Sequence, residues 1–216
     1  MRLSGLIPEP GSPLDRVATL VISNIAWVFL SLMIIPLPAA TAGLFAVMTP
    51  LARNKDREFF ATFFSTMRRQ WRKATLLGLL DFALGALVLV NLQALATIPL
   101  PEAVVWFLRS LTLIVGLVLL LVNLYAWPLL VMFDLPMGRL IKVSLLLTLA
   151  HPLQSLLTLV LGAAPIVAGL FLPLWLLFVG FVSLSALAIS WGSWRVIRQR
   201  ASAEELEELD DPMRGP

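Results

Sequence analysis

The sequence predicts an all-α, polytopic transmembrane helical bundle, on three observations. Hydrophobic residues make up 59% of the 216 residues, and charged residues make up only 13%, against roughly 25% in soluble domains. The mean hydropathy is +0.92. Several apolar runs are long enough to cross the ~30 Å hydrocarbon core of a bilayer as helices. We therefore expect five long spans, one short hairpin or re-entrant helix, and an interfacial amphipathic helix.

The expected transmembrane domain covers residues 17–200, between an irregular segment at 1–16 and an acidic tail at 201–216. The first 13 residues are interrupted by Pro8, Pro10, Gly11 and Pro13, and Ser12 can cap a helix that begins at Pro13 or Leu14. The first span runs from about Val17 to Ile35, where the sequence Pro-Leu-Pro at 36–38 ends it.

The run from Ala39 to Leu51 is apolar, but as a helix it is only about 20 Å long. The favoured interpretation is a short helix that returns in a hairpin with the first span. The N-terminus then lies on the same side of the membrane as the basic helix that follows. A re-entrant or interfacial segment would leave a single crossing and place the N-terminus on the opposite side. Signal cleavage at the A-x-A motif of residues 40–42 is the least favoured, because it would translocate the basic residues that follow, against the positive-inside rule.

Residues 57–73 predict an amphipathic helix in the membrane interface. On a helical wheel the bulky apolar side chains fall within an arc of about 140°, and most basic side chains lie on the other side. A large aromatic face opposite a basic face is typical of helices that lie in the membrane surface. The candidate interfacial residues are Phe59, Phe60, Phe63, Phe64, Arg68, Arg69, Trp71, Arg72 and Lys73.

Four further long spans follow, and the charges between them predict the topology. The spans are Ala74 to about Thr97, Ala103 to Pro128 or Phe133, Leu140 to Leu161 with a break at His151-Pro152, and Ile166 to Trp194. Segments 53–73, 134–142 and 195–200 hold seven, two and three basic residues, whereas 98–102 and 162–168 hold none. The positive-inside rule places the basic segments and the C-terminus in the cytoplasm.

Asp81 and Arg109 are charged residues inside predicted spans, where an unpaired charge costs at least about 2.5 kcal/mol. Their expected depths differ by about 8 Å, which two side chains can bridge. The pair could form part of a polar pathway. The favoured alternative is a structural clasp, or an Arg109 side chain that extends to the outer surface.

Motifs for catalysis are absent from the sequence. There is no P-loop, no H-E-x-x-H, no cysteine and only one histidine, His151. We therefore expect no catalytic residues, no cofactor and no metal. The excess of basic residues lies in a few loops, which favours contact with anionic lipid at the cytoplasmic face over binding of nucleic acid.

Three segments resemble the YesL-like family of bacterial integral membrane proteins, a domain of unknown function. The first is Asn-Ile-Ala-Trp at 24–27 with the Pro-Leu-Pro-Ala-Ala-Thr-Ala-Gly-Leu-Phe run at 36–45. The second is Phe60 and Phe64 followed by basic residues, which looks like the family's aromatic-basic linker, and the third is Leu-Tyr-Ala-Trp-Pro-Leu-Leu at 124–130, continuing through Phe133. This sequence departs from the family's pattern in two places. Ala39 and Ala40 replace the residues that are usual in the turn, and the tail is acidic. The resemblance covers about residues 15–195 and implies a bacterial inner-membrane protein.

The resemblance also implies a non-enzymatic accessory or assembly factor for carbohydrate ABC transport, with sugar ABC transporter subunits as partners. One alternative is a small membrane transporter in its own right. Another is a structural, lipid-interacting membrane protein.

Overall fold

The computed structural model describes residues 12–55, 58–172 and 179–199, and these form seven α-helices with no strand among them. The predicted all-α class is confirmed. The helices are α1 (Pro13–Ser31), α2 (Leu37–Ala52), α3 (Phe59–Thr97), α4 (Glu102–Met132), α5 (Met137–Ala150), α6 (Pro152–Leu170) and α7 (Phe181–Ile197). The predicted acidic tail lies outside the described residues, as do residues 1–11 of the predicted irregular segment.

Four helices are long and apolar enough to cross a membrane, namely α1, α3, α4 and α6. Several apolar helices of this kind indicate a multi-pass membrane protein. α2 and α7 are also apolar but have only 16 and 17 residues, or about 25 Å of helix. The described helices therefore support the membrane class without fixing the number of crossings.

Two predicted boundaries in the second half are wrong. The turn expected at residues 162–165 lies inside α6, because Gly162 allows close packing against α7 instead of ending the helix: an added Cβ atom at Gly162 would lie 2.5 Å from Ile189 Cγ1. The predicted span from Ile166 to Trp194 is not one helix, since α6 ends at Leu170 and α7 begins at Phe181. Pro152, at the first position of α6, separates it from α5.

α1 begins where its capping residue predicts. The Asp15 backbone N–H donates to Ser12 Oγ at 3.1 Å, Pro13 occupies the first turn, and the Asp15 carboxylate lies at the positive end of the helix dipole. Residues 13–16 are thus helical and belong to the bundle instead of the irregular segment. After Ser31 the chain reverses through residues 32–36, with Ile34 at a positive φ of 59°.

α2 lies at the centre of the bundle although it is short. Its residues from Ala39 to Thr49 are buried apart from Thr41, and it packs against α1, α3, α4 and α7. A helix that is apolar on all sides is stable only when it is surrounded. The alanines and Gly43 in its first half let the neighbouring backbones approach: a Cβ atom added at Gly43 would lie 3.0 Å from the Phe63 carbonyl oxygen.

α1 and α2 form an antiparallel pair joined at both ends by side-chain hydrogen bonds. The Arg16 guanidinium donates to Asn54 Oδ1 at 3.1 Å, and Trp27 Nε1 donates to Thr41 Oγ1 at 3.0 Å. The beginning of α1 therefore lies beside the end of α2, which is the arrangement that the hairpin interpretation requires.

α3 is one continuous helix of 39 residues, about 58 Å long, so the predicted amphipathic helix and second span are joined without a break. An added Cβ atom at Gly78 would lie 2.9 Å from Pro38, while Gly43 faces Phe63. Phe63 and Gly78 would be about 22 Å apart in a straight helix, whereas Pro38 and Gly43 are about 8 Å apart on α2. α3 therefore curves around the beginning of α2.

Asn24 of α1 caps the N-terminus of α7. Gly180 precedes α7 and has no side chain to accept its first N–H groups, and the backbone N–H groups of Val182 and Ser183 both donate to Asn24 Oδ1 at 3.1 Å. Asn24 is fully buried. An N-cap is usually supplied by the residue before the helix, but here it comes from a helix 158 residues away in the sequence.

We expect Asn24→Ala to lower the free energy of unfolding by about 1–3 kcal/mol, because it leaves two buried N–H groups of α7 without an acceptor. Unfolding followed by circular dichroism in mild detergent measures this. Ser23→Ala is the matched control: Ser23 is equally buried and its Oγ has no hydrogen-bond partner, so its removal should cost little. Equal losses in the two variants would contradict the capping role of Asn24.

Candidate functional site: the basic end of the bundle

Contacts between helix ends bring most of the basic residues to one end of the bundle, called here the basic end. The Arg53 guanidinium lies 4.3 Å above the Trp194 ring, which joins the end of α2 to the end of α7. Lys73 Nζ donates to Asp134 Oδ1 and to the Leu135 carbonyl, joining the middle of α3 to the end of α4.

The ends of α2 and α4 lie at the same level. Phe45 of α2 stacks on Trp127 of α4 with ring centroids 6.3 Å apart, and the two helices end seven and five residues later. With Arg16 at Asn54, the beginning of α1 and the ends of α2, α4 and α7 are therefore together. The separate basic segments of the sequence form one positively charged surface in the fold.

The tryptophans of α7 lie under arginines at this end. The Arg195 guanidinium is 3.6 Å from the centre of the Trp191 ring, in addition to Arg53 above Trp194. Guanidinium groups stacked on indole gain cation–π attraction, and tryptophan is enriched at membrane–water interfaces. The placement of Trp191 and Trp194 is therefore typical of side chains that anchor a helix at the membrane interface.

The first part of α3, Phe59–Lys73, carries the predicted interfacial residues and is called here the α3 extension. Its predicted apolar face is divided in the structure. Phe63 is fully buried against α2, and Thr66 and Gln70 continue the buried stripe. Phe60, Phe64 and Trp71 are 66%, 45% and 53% exposed.

The exposed part of the α3 extension combines aromatic and basic side chains. The rings of Phe60 and Phe64 stack with centroids 6.4 Å apart, and Arg68, Arg69 and Arg72 are exposed beside them. Arg57, the first residue of the predicted helix, lies outside the described residues. The sequence predicted the composition of this surface but missed that Phe63 packs on the core, because only tertiary contacts reveal which part of an aromatic face is covered.

Lys73 holds the α3 extension to the loop between α4 and α5. Its hydrogen bond lowers the pKa of Asp134, with a further contribution from its charge. Because the folded pKa is below the unfolded value near 4, the contact stabilises the fold at neutral pH, and this stabilisation is lost as the pH falls through the folded pKa. The Asp134 side chain is 84% exposed, so the contribution is at most about 1 kcal/mol.

Asp81 and Arg109 have different hydrogen-bond partners. Asn123 Nδ2 of α4 donates to Asp81 Oδ1 at 2.9 Å, and the Trp127 indole also approaches this carboxyl group. Arg109 Nη2 is 3.5 Å from the Leu95 carbonyl oxygen. The polar partner of Asp81 in the span is therefore Asn123. An amide side chain within an apolar run is the sequence feature from which this partner could have been predicted.

Asn123 Oδ1 is buried and has no hydrogen-bond partner. Asp81 and Asn123 thus form a small polar cluster between α3 and α4, with one acceptor unused.

A second polar cluster lies at the helix break between α5 and α6. Ser155 Oγ donates to the His151 carbonyl at 2.9 Å and lies 2.8 Å from the Tyr125 hydroxyl. Because the Ser155 proton is used, the Tyr125 hydroxyl donates to Ser155 Oγ. The predicted break at His151 is confirmed, but its Nε2 is buried without a partner.

No group of three His, Cys, Asp or Glu side chains within residues 12–55, 58–172 and 179–199 could hold a metal ion. The described site consists of a charged and aromatic surface, together with isolated polar contacts inside the spans.

Comparison with known proteins identifies relatives whose names assign no activity. Residues 20–92 match the family model described as "Protein of unknown function, DUF624". "Uncharacterized protein YesL" of Bacillus subtilis (strain 168) is 26% identical over 188 residues, which are 84% of this chain and 88% of YesL. "Uncharacterized protein YteU" of the same organism is 30% identical over 146 residues, 66% of this chain and 64% of YteU.

No solved structure matches the chain significantly. The matched region of the family model contains α2, most of α1 and α3 through Leu92, and so includes the central helix and the α3 extension. The resemblance to the YesL-like family is confirmed: the chain is a homologue of YesL and YteU and carries the DUF624 match in its first half.

Proposed function

We propose that this protein is a non-enzymatic accessory or assembly factor of the bacterial cytoplasmic membrane, which binds partner subunits through the α3 extension. The observation that carries the proposal is the exposed aromatic and arginine surface of that segment. Aromatic and arginine residues are the types that contribute most binding energy at protein interfaces.

The α3 extension is held in place before any partner binds. Phe63 packs against Gly43 of the buried α2, and Lys73 bonds to the loop that follows α4. A surface fixed by packing on both sides loses little conformational entropy when it binds a partner. This supports a docking role over that of a loosely attached membrane anchor.

We further propose that the basic end faces the cytoplasm, with α1, α3, α4, α6 and α7 as five crossings and α2 as the short helix of the hairpin. With α2 counted as a sixth, short crossing, the number of passes is even and both termini lie inside. The gathering of the basic segments at one end supports it, because positive residues are retained on the cytoplasmic side. Anionic lipid at that face would interact with the same charges.

The proposed partners are subunits of a sugar ABC transporter. The support for this choice is the resemblance to the YesL-like family, with its implied association with carbohydrate uptake. The chain itself supplies the surface on which such a subunit would bind.

Replacing Arg68, Arg69 and Arg72 together by glutamine should reduce recovery of transporter subunits with the tagged protein at least about tenfold, since charged contacts at an interface commonly contribute more than 1.4 kcal/mol in total. Co-purification in mild detergent measures the recovery. The matched control replaces Arg139, Lys142 and Arg198, which are equally basic and exposed but lie outside the α3 extension. Recovery of the wild-type protein alone, with sugar uptake unchanged on deletion, would refute the proposal.

A second candidate is a small transporter whose path includes Asp81 and Asn123. The hydrogen-bonded carboxyl and amide groups between α3 and α4, with the unused Asn123 Oδ1 acceptor, favour it. Asp81→Asn would then abolish flux in proteoliposomes while leaving the thermal unfolding of the protein unchanged. Absence of flux through the wild-type protein with a range of sugars would exclude this candidate.

A further inference from the structure

We propose that the acidic tail of this chain, residues 201–216, binds the arginine face of its own α3 extension and thereby competes with external partners for it. The arginine face is defined as Arg68, Arg69 and Arg72. The inference rests on the proposed function, because the tail would regulate partner binding at the same α3 extension.

The arginine face points away from the core and lies beside the exposed aromatic residues, with the Arg72 guanidinium 5.7 Å from the centre of the Trp71 ring. On the α3 helix the three arginines are centred roughly 150° from the buried stripe of Phe63, Thr66 and Gln70. They are centred roughly 100° from the exposed Phe60, Phe64 and Trp71. Exposed guanidinium groups on this side of the helix can pair with carboxylates that approach from the aqueous side.

The arginines are available for such a partner. All three are exposed, and in the described part of the chain none of them forms an ion pair. The nearby Asp134 is bonded to Lys73, although Arg69 also contributes to lowering its pKa. Three positive charges on one side of one helix are thus left largely uncompensated by described residues.

The tail has the complementary charge. Six of the eight residues from 204 to 211 are acidic, and Arg214 is the only basic residue after position 200. The acidic residues are Glu204, Glu205, Glu207, Glu208, Asp210 and Asp211. No other run in the sequence concentrates negative charge in this way.

The tail starts close enough to reach the arginine face. Trp194 near the end of α7 lies against Arg53, and α3 begins six residues after Arg53. Six extended residues span at most about 22 Å, and Arg68 lies about 14 Å further along the helix. The acidic residues follow Ile197 by 7 to 14 positions, a reach of roughly 25–50 Å.

A tethered segment of this kind binds reversibly. Individual ion pairs on a surface contribute little, but several charges acting together, at the roughly millimolar effective concentration that a short tether provides, can occupy a site. Occupancy should therefore fall with salt and be open to displacement by a partner that adds apolar contacts with Phe60, Phe64 and Trp71.

Distances between two spin labels test the proposal, and the absence of cysteine from the chain allows labels at chosen sites only. Ser65→Cys places one label on an exposed position beside the arginine face, and Leu209→Cys places the other within the acidic run. In phosphatidylcholine nanodiscs at low salt we expect a short-distance population. Raising the salt should reduce it about fivefold or more, because screening weakens interactions between exposed charges.

Three comparisons decide the outcome. Replacing the six acidic residues by glutamine or asparagine, or the three arginines by glutamine, should remove the short-distance population, whereas the control replacement of Arg139, Lys142 and Arg198 should keep it. Exchanging the charges, with lysine in the tail and glutamate at positions 68, 69 and 72, should restore it. Dilution with unlabelled protein should leave it unchanged, because the contact lies within one chain.

The proposal is overturned if the distance distribution is the same with the acidic and the neutralised tail. Loss of the population on dilution would show binding between two copies and would also refute it. Complete loss of the population when the nanodiscs contain phosphatidylglycerol would assign the arginine face to anionic lipid and would also refute the proposal. These measurements contain no partner subunit, so failure of the tail contact is distinguishable from failure of co-purification.

Discussion

The burial of α2 is the constraint on which the rest of the structure depends. A helix of 16 residues that is apolar on every side must be surrounded, and α1, α3, α4 and α7 surround it. The small residues in its first half decide how closely they approach, as the 3.0 Å distance from a Cβ atom at Gly43 to the Phe63 carbonyl oxygen illustrates. A larger side chain at Gly43 would push α3 away from the core.

The position of the candidate site follows from this packing. Because Phe63 is covered by α2, the remaining aromatic residues of the α3 extension are exposed on one side and the arginines on another. Because α2 runs in the same direction as α4 and α7, the ends of all three helices arrive together with their basic residues. The surface proposed for partner binding is thus a consequence of how a short, central helix is enclosed.

Local features of the fold were predictable from the sequence, and features set by tertiary contacts were not. The Ser12 cap and the helix break at His151-Pro152 depend on a few neighbouring residues, and both are present. Composition was sufficient for the all-α membrane class. The turn expected at 162–165 is absent because Gly162 packs closely against α7. No local sequence pattern distinguishes such a packing glycine from a glycine that ends a helix.

The candidate site was predicted in composition but only partly in arrangement. All nine interfacial residues lie on α3, but the division between buried Phe63 and exposed Phe60, Phe64 and Trp71 depends on α2. Likewise, depth along the spans suggested Arg109 as the partner of Asp81, whereas lateral packing brings Asn123 to it. The depth of a residue in the membrane can be counted along the sequence. Which side of its helix packs against a neighbouring helix is known only from the three-dimensional fold.

The most direct test of this account is the accessibility of single cysteines on the α1–α2 hairpin in intact cells. A membrane-impermeant thiol reagent should label Ile34→Cys in the exposed turn, but should label Ser12→Cys and Asn54→Cys only after the membrane is opened. The absence of native cysteine leaves no background labelling. Labelling of positions 12 and 54 from opposite sides of the membrane would contradict the hairpin and, with it, the proposed cytoplasmic basic end.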